Sequence, residues 1–169
     1  MRLVARLIVV VVSLGGFPAL AQELADSMPD TLRETHGDWQ KHCALDAMGL
    51  EECFLFQAVD MQANGERVMT VIAASPAAAE PLLRITVPLG VLLPNGLNMT
   101  IDGIDLGTVG FLTCFVDGCM TQVTLTADVL GSMKAGNQAS ITIYDTVGQP
   151  ASLPLSLTGF TAGWGSLGN

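Results

Sequence analysis

The chain has 169 residues, with 16 acidic side chains against 7 basic ones, a formal charge of −9, and a mean hydropathy of +0.49. An acidic surface repels phosphate backbones and gains nothing from anionic headgroups, which argues against nucleic-acid binding and against electrostatic docking to membranes. Charged residues make up 14% of the chain, well under the roughly 25% of ordinary soluble domains. Thr, Gly, Ala and Met fill the difference. That composition fits a half-buried β protein whose outer face uses Thr, Ser and Gln. The sharper alternative is a surface built against something apolar.

In chain order, the N-terminus reads as a secretory signal peptide over residues 1–21. Arg2 and Arg6 form a positive start, Leu7 to Leu14 is apolar apart from Ser13, and Ala19-Leu20-Ala21 is a small-x-small cleavage signal ahead of Gln22. The apolar run falls short of the roughly 20 residues a spanning helix needs, and the mature chain contains no transmembrane segment by the same criterion. Cleavage between Ala21 and Gln22 removes both arginines and leaves 5 basic residues against 16 acidic ones, a formal charge of −11. Residues 22–36 are polar and acidic without a strong period and read as a flexible N-terminal arm. The remaining 37–169 are long enough for one domain with a real core.

Short strand signals then recur with turn residues between them. Trp39 and Cys43 mark the first strand, with Trp39 as a core anchor. "CFLFQAVD" alternates Phe54, Phe56 and Ala58 against Leu55 and Gln57. Asn64 to Glu66 is a turn, "RVMTVIAA" is a β-branched run and "SPAAAEP" is a loop or a single helical turn. "LLRITVPLGVLL" reads as β, with Pro88 marking an edge or a bulge. Pro94 to Gly96 and Asp102-Gly103 are turns, and "MTQVTLTA" alternates cleanly. In "DVLGSMKAG", Val129, Leu130 and Met133 fall at helical spacing, with Thr126 or Asp128 as cap and Gly136 as stop. "QASITIYDT" and "ASLPLSL" are strands. The tail carries Phe160 and Trp164 on a weak helical pattern, and the glycines at 159, 163 and 165 argue against its stability. Many short strands with one minor helix predict an all-β, single-domain sandwich or partly open barrel.

Cys43, Cys53, Cys114 and Cys119 are an even set in a chain addressed for export, where thiols pair. Four cysteines allow three connectivities, and spacing alone does not select one. Local pairing is favoured: Asp117-Gly118 suits a tight turn between Cys114 and Cys119, and Gly49 lets the segment between Cys43 and Cys53 fold back. A four-thiolate zinc site would show C-x2-C knuckles, and a redox couple C-x-x-C; neither spacing occurs.

Candidate chemistry is sparse. His36 and His42 lie near Asp38, but a metal site needs convergent partners and packed or exposed structural histidines are commoner. Asp102 and Asp105 lack the remaining ligands of a calcium loop and read as hairpin-turn residues. They would be the acids of a hydrolase only if held across a cleft. Ser156 has no nucleophile elbow. There is no phosphate-binding glycine loop or dinucleotide fingerprint. The methionines form no M-x-M cluster and read as core filler. Asn98-Met99-Thr100 matches the glycosylation sequon by pattern alone.

"GDWQKHC", "EECFLFQAV", "VPLGVLLPNGLNMTIDG", "FLTCFVDGCMTQVTL" and "LPLSLTGF" follow one another in an order that resembles the invasion-associated locus B family of bacterial exported proteins. The likeness spans about Gly37 to Phe160. The tail departs: family members tend to end in a helix bearing Ala, Leu and Lys, whereas "TAGWGSLGN" is glycine-rich, so no role passes to a basic C-terminal helix. The resemblance implies an envelope or secreted protein linked with host-cell entry or surface interaction, transfers no catalytic residue, and is compatible with two local disulfides. The resulting expectation is an exported, non-enzymatic protein of the periplasm or cell surface that needs no cofactor. It would bind an envelope or host-surface partner. The alternative is a periplasmic small-ligand carrier with a cavity between its sheets.

Overall fold

Residues 33–45, 49–61, 63, 65–77 and 79–168 are described by the structure, a computed structural model. The segment read as a signal peptide, its cleavage point and residues 22–32 of the arm lie outside the described residues. Eleven strands form two antiparallel sheets. The wider one is built from β1 (Arg33–His36), β2 (Trp39–Leu45), β3 (Glu51–Asp60), β4 (Arg67–Ala74), β5 (Leu82–Val87), β8 (Thr113–Phe115) and β9 (Gly118–Thr124), in the spatial order β1-β2-β3-β4-β5-β9-β8. The narrower sheet holds β6 (Leu97–Ile101), β7 (Ile104–Val109), β10 (Gln138–Tyr144) and β11 (Pro150–Ser156), in the order β11-β10-β6-β7.

The first strand is β1, not the Trp39 strand. Arg33–His36 pairs with β2 in a hairpin turned by Gly37 and Asp38, so the last four residues of the segment read as a flexible arm form a strand. The local sequence is polar, and the strand exists because β2 offers it a ladder. Gly37, at φ 58, supplies the positive φ that a two-residue hairpin turn requires. After Val87, Pro88 ends β5, and the stretch read as one long strand becomes a crossing to the other sheet through a 3₁₀ turn at Leu93–Asn95.

The sheets are of unequal width, and this decides where the helices go. β11 lies against β3 and β7 against β9, so four strands cover only part of the seven-stranded sheet. Helices α1 (Ala127–Ala135) and α2 (Phe160–Gly165) touch each other, and α2 covers the uncovered flank beside β1 and β2. Thr126 caps α1, its side chain accepting from the Val129 N–H at 3.4 Å. Gly136 follows α1 with an extended φ of −77. Packing demands glycine there, since a Cβ would lie 2.5 Å from Ile101 Cγ2.

The tail glycines mislead in the same way. α2 forms despite them, because Phe160, packed on Trp39, and Trp164, packed on Phe160, are buried and supply the tertiary packing that overrides helix propensity. Gly163 lets α2 approach Leu55, where a Cβ would meet a methyl at 2.9 Å. Trp39, fully buried, is the hub. Its ring meets Phe160 edge-on at 5.2 Å, and its Nε1–H donates to the Ser156 carbonyl at 3.0 Å. Beside it the buried Gln57 donates to that same carbonyl at 3.0 Å and accepts from the Ser156 N–H at 3.1 Å. One side chain thus stands in for a missing strand and ties β11 to β3. The space between the sheets is filled by apolar side chains, among them Met69, Ile85, Leu97, Met133, Ile141 and Leu155.

Candidate functional surfaces

Cys43 is joined to Cys53 and Cys114 to Cys119. Each pair sits directly opposite across an antiparallel ladder. The second pair corrects the turn predicted at Asp117-Gly118. With Cys114 opposite Cys119 and Phe115 opposite Gly118, the loop is Val116-Asp117, and Gly118 is the first residue of β9. Gly118 is needed for close approach, because a Cβ there would lie 2.2 Å from the Val87 carbonyl oxygen. Among the described residues, Cys43, Glu51 and Cys53 bring ligand-type atoms within 4.8 Å of one another, but the two sulfurs are bonded to each other and present no thiolate.

The candidate catalytic and metal groups do not converge. His36 is opposite Trp39 and meets α2, 3.2 Å from Ser166 Oγ, with Glu34 at 3.4 Å. His42 points to the other side of the sheet, stacked on Phe54 at 5.7 Å and edge-on to Phe56 at 5.6 Å. The hairpin therefore sends the two rings to opposite faces. Asp102, at φ 48 in the β6–β7 turn, accepts the Asn137 and Gln138 N–H groups at 2.9 and 3.0 Å. These bonds hold its carboxyl below the ordinary aspartate value, the Asn137 N–H having the largest effect. Asp105 accepts from Asn98 Nδ2 at 2.8 Å and from the Gly107 N–H at 2.9 Å, and is lowered for that reason. Both acids brace turns, and the amide of the sequon Asn98 is occupied in the same brace. Ser156 Oγ accepts from the Thr158 N–H at 3.2 Å, and its backbone is held by Gln57.

What distinguishes the molecule is the chemistry of its two outer faces. In β3, Leu55 and Gln57 are buried, so the pleat turns Phe54 and Phe56 outward. Across the ladder the same outer face carries Ile72, Leu82, Met120 and, on the stapled hairpin, Phe115, with Thr70, Arg84, Thr86 and Gln122 between them. Phe115 is 60% exposed and its neighbour Val116 90%. The outer face of the four-stranded sheet carries Asn98, Thr100, Asp105, Thr108, Ser140, Thr142 and Ser152, with Tyr144 and Pro154 in the same rows, and the Ser140 and Ser152 hydroxyls are bonded to each other. A signal for this orientation was present in the sequence. Trp39 in the core places Cys43 on the same side, and a Cys43–Cys53 bond then forces residues 53, 55 and 57 inward.

A groove of about 650 Å³ lies between the free edge of β11 and strands β3 and β4. It is open to solvent along one side of the sandwich and is not a cavity between the sheets. Ala58, Val59, Met61, Val68, Leu153 and Pro154 give it an apolar lining, and Asp38, Asp60, Gln57, Gln138, Ser152 and Ser156 add polar groups.

This arrangement defines a class: a two-sheet antiparallel sandwich with one staple in each of two hairpins, and no assembled catalytic constellation among the described residues. Within that class the chain belongs to the Invasion associated locus B (IalB) protein family, whose sequence model matches residues 39–168. Invasion protein B homologs from Brucella abortus strain 2308 and Brucella abortus biovar 1 strain 9-941 are each 28% identical over 142 residues, covering 82% of this chain and 82% of theirs. The crystal structure of invasion associated protein b from Bartonella henselae superposes with a TM-score of 0.73 at 21% identity, covering 81% of this chain and 95% of that one. At that identity the likeness establishes the shared fold.

Proposed function

We propose that this protein is an exported, non-enzymatic binding protein that engages a partner at the cell envelope or on a host-cell surface. The binding element is the outer face of its seven-stranded sheet. The observation that carries the proposal is that the wide sheet turns Phe54, Phe56, Ile72 and Phe115 outward among Thr70, Arg84 and Gln122, whereas the narrow sheet turns out mainly Ser, Thr and Asn, with Tyr144 and Pro154. Aromatic and aliphatic anchors on a rigid frame are what interface cores are made of. The Cys114–Cys119 staple fixes the hairpin that displays Phe115 and Val116, which limits the conformational entropy lost on binding. Cleavage between Ala21 and Gln22 and residence in the periplasm or at the cell surface belong to the same reading, and two disulfides with no free cysteine among the described residues fit an oxidising compartment. The names of the relatives, invasion protein B homologs, agree in kind.

The test is a binding assay of labelled mature protein against envelope fractions and host cells. Saturable binding is expected, weakened about tenfold or more by Phe115→Ser with Val116→Ser, the loss of two of the most exposed apolar anchors. These side chains are exposed, so the thermal midpoint should not move. Absence of binding in every fraction, or equal binding by the variant, contradicts the proposal.

A further inference from the structure

We infer that the groove beside β11 is a second, separate site that binds a small amphiphilic cation, an apolar body carrying an ammonium or guanidinium head, through Asp38. The apolar lining and the volume of about 650 Å³ lie in the range of small-molecule sites. The charged residues of the groove are two carboxylates, Asp38 and Asp60, and this sets the sign of the head group, while Gln138, Ser152 and Ser156 can donate or accept. No Lys, Arg or His lines it. Asp38 lines it, and its carboxylate has no hydrogen-bond or ion-pair partner among the described residues, whereas Asp60 is paired with Arg67. The Gln57 amide and the Ser156 N–H are already spent on each other.

The edge of β11 adds to the same bias. Ser156 directs its backbone groups outward to Gln57, while the next residue, Leu157, donates toward β10 at Asn137. By the alternation of an antiparallel ladder, residues 150, 152 and 154 also direct their backbone groups outward. Two of these are Pro150 and Pro154, which have no N–H. Outward carbonyls remain along the wall, and Ser152 keeps the one N–H among these three positions. An added peptide strand would find too few donors to pair with. A donor-rich cation finds the Asp38 carboxylate and the outward carbonyls of β11, in a molecule whose overall charge of −9 also attracts it.

The test is an NMR titration of the isotope-labelled full chain with n-octylammonium, n-octanoate and n-octanol as probes. Saturable octylammonium binding is expected, with amide shifts centred on Val59, Val68, Ser152 and Leu153, and weaker binding by octanoate. Asp38→Asn should lower the octylammonium affinity about two- to fivefold, as for a partly exposed ion pair. Added salt should weaken octylammonium but leave octanol unchanged, a readout that stands even if the substitution disturbs the Gly37-Asp38 turn. Phe115→Ser with Val116→Ser should leave the titration unchanged, which separates this site from the proposed partner face. Equal binding of octanoate, shifts centred elsewhere, an Asp38→Asn variant of full affinity with no salt effect, or no saturable binding would each overturn the inference.

Discussion

At the scale of single residues, the polar groups that matter most are structural. Gln57 is only 6% exposed, and its amide carries both backbone groups of Ser156. Replacing it with Ala leaves a part-buried donor and acceptor with one partner fewer, so Gln57→Ala should lower the unfolding free energy by about 2 kcal/mol in urea titrations. Asp102 and Asp105 act through pH. Backbone and amide N–H groups favour their ionised forms, so both folded pKa values lie below the unfolded aspartate value of about 3.9. The stability they contribute is therefore complete above that value and is lost as pH falls through the folded values. Urea midpoints measured downward from pH 6 should decline below about pH 4, and Asp102→Asn should flatten part of that decline. Trp39 was legible in the sequence as a core anchor, because a lone Trp at the start of a strand pattern has few other uses. Gln57 was not, because nothing in a sequence distinguishes a buried surrogate strand from a solvated glutamine.

At the scale of elements, clean alternation was a sound guide and glycine a poor one. β9 and β10 were readable from their period of two, and α1 from its cap and its apolar spacing. α2 was not, since its stability comes from Trp39 and Leu55, far away in the chain. Gly159, at φ 87, carries the approach of the tail to the first hairpin, where a Cβ would lie 2.0 Å from the His36 carbonyl oxygen. Gly148 has nearly the same φ, 84, with nothing within 4 Å of the added atom. Gly148→Ala should therefore cost about 1 kcal/mol, the strain of a left-handed residue alone, and Gly159→Ala about 3 kcal/mol or more from strain plus the clash. Comparable losses in thermal or chemical denaturation would show that α2 does not depend on this contact. The staples also act on single elements. The paired cysteines are 10 and 5 residues apart, for which loop entropy gives about 2–3 kcal/mol each. Paired Cys→Ser variants should each lower stability by that amount.

At the scale of the whole molecule, the all-β sandwich and its stapled hairpins were legible because both are local patterns repeated along the chain. The assignment of strands to sheets was not, since β5 and β7 hand the chain across the sandwich through segments without a periodic signal, and nothing in α1 says that the chain changes sheets between β9 and β10. The polarity of the faces lay between the two: the composition announced a Thr- and Ser-rich exterior, and the narrow sheet has one, while the wide sheet turns phenylalanines outward. That asymmetry makes the wide sheet the proposed working surface. Its most direct test is photo-crosslinking in the native host, with a benzophenone amino acid placed at Phe56 on the wide sheet or at Thr142 on the narrow one. A discrete crosslinked partner is expected from position 56 and none from position 142; crosslinks from position 142 alone would rule out the wide sheet as the binding face.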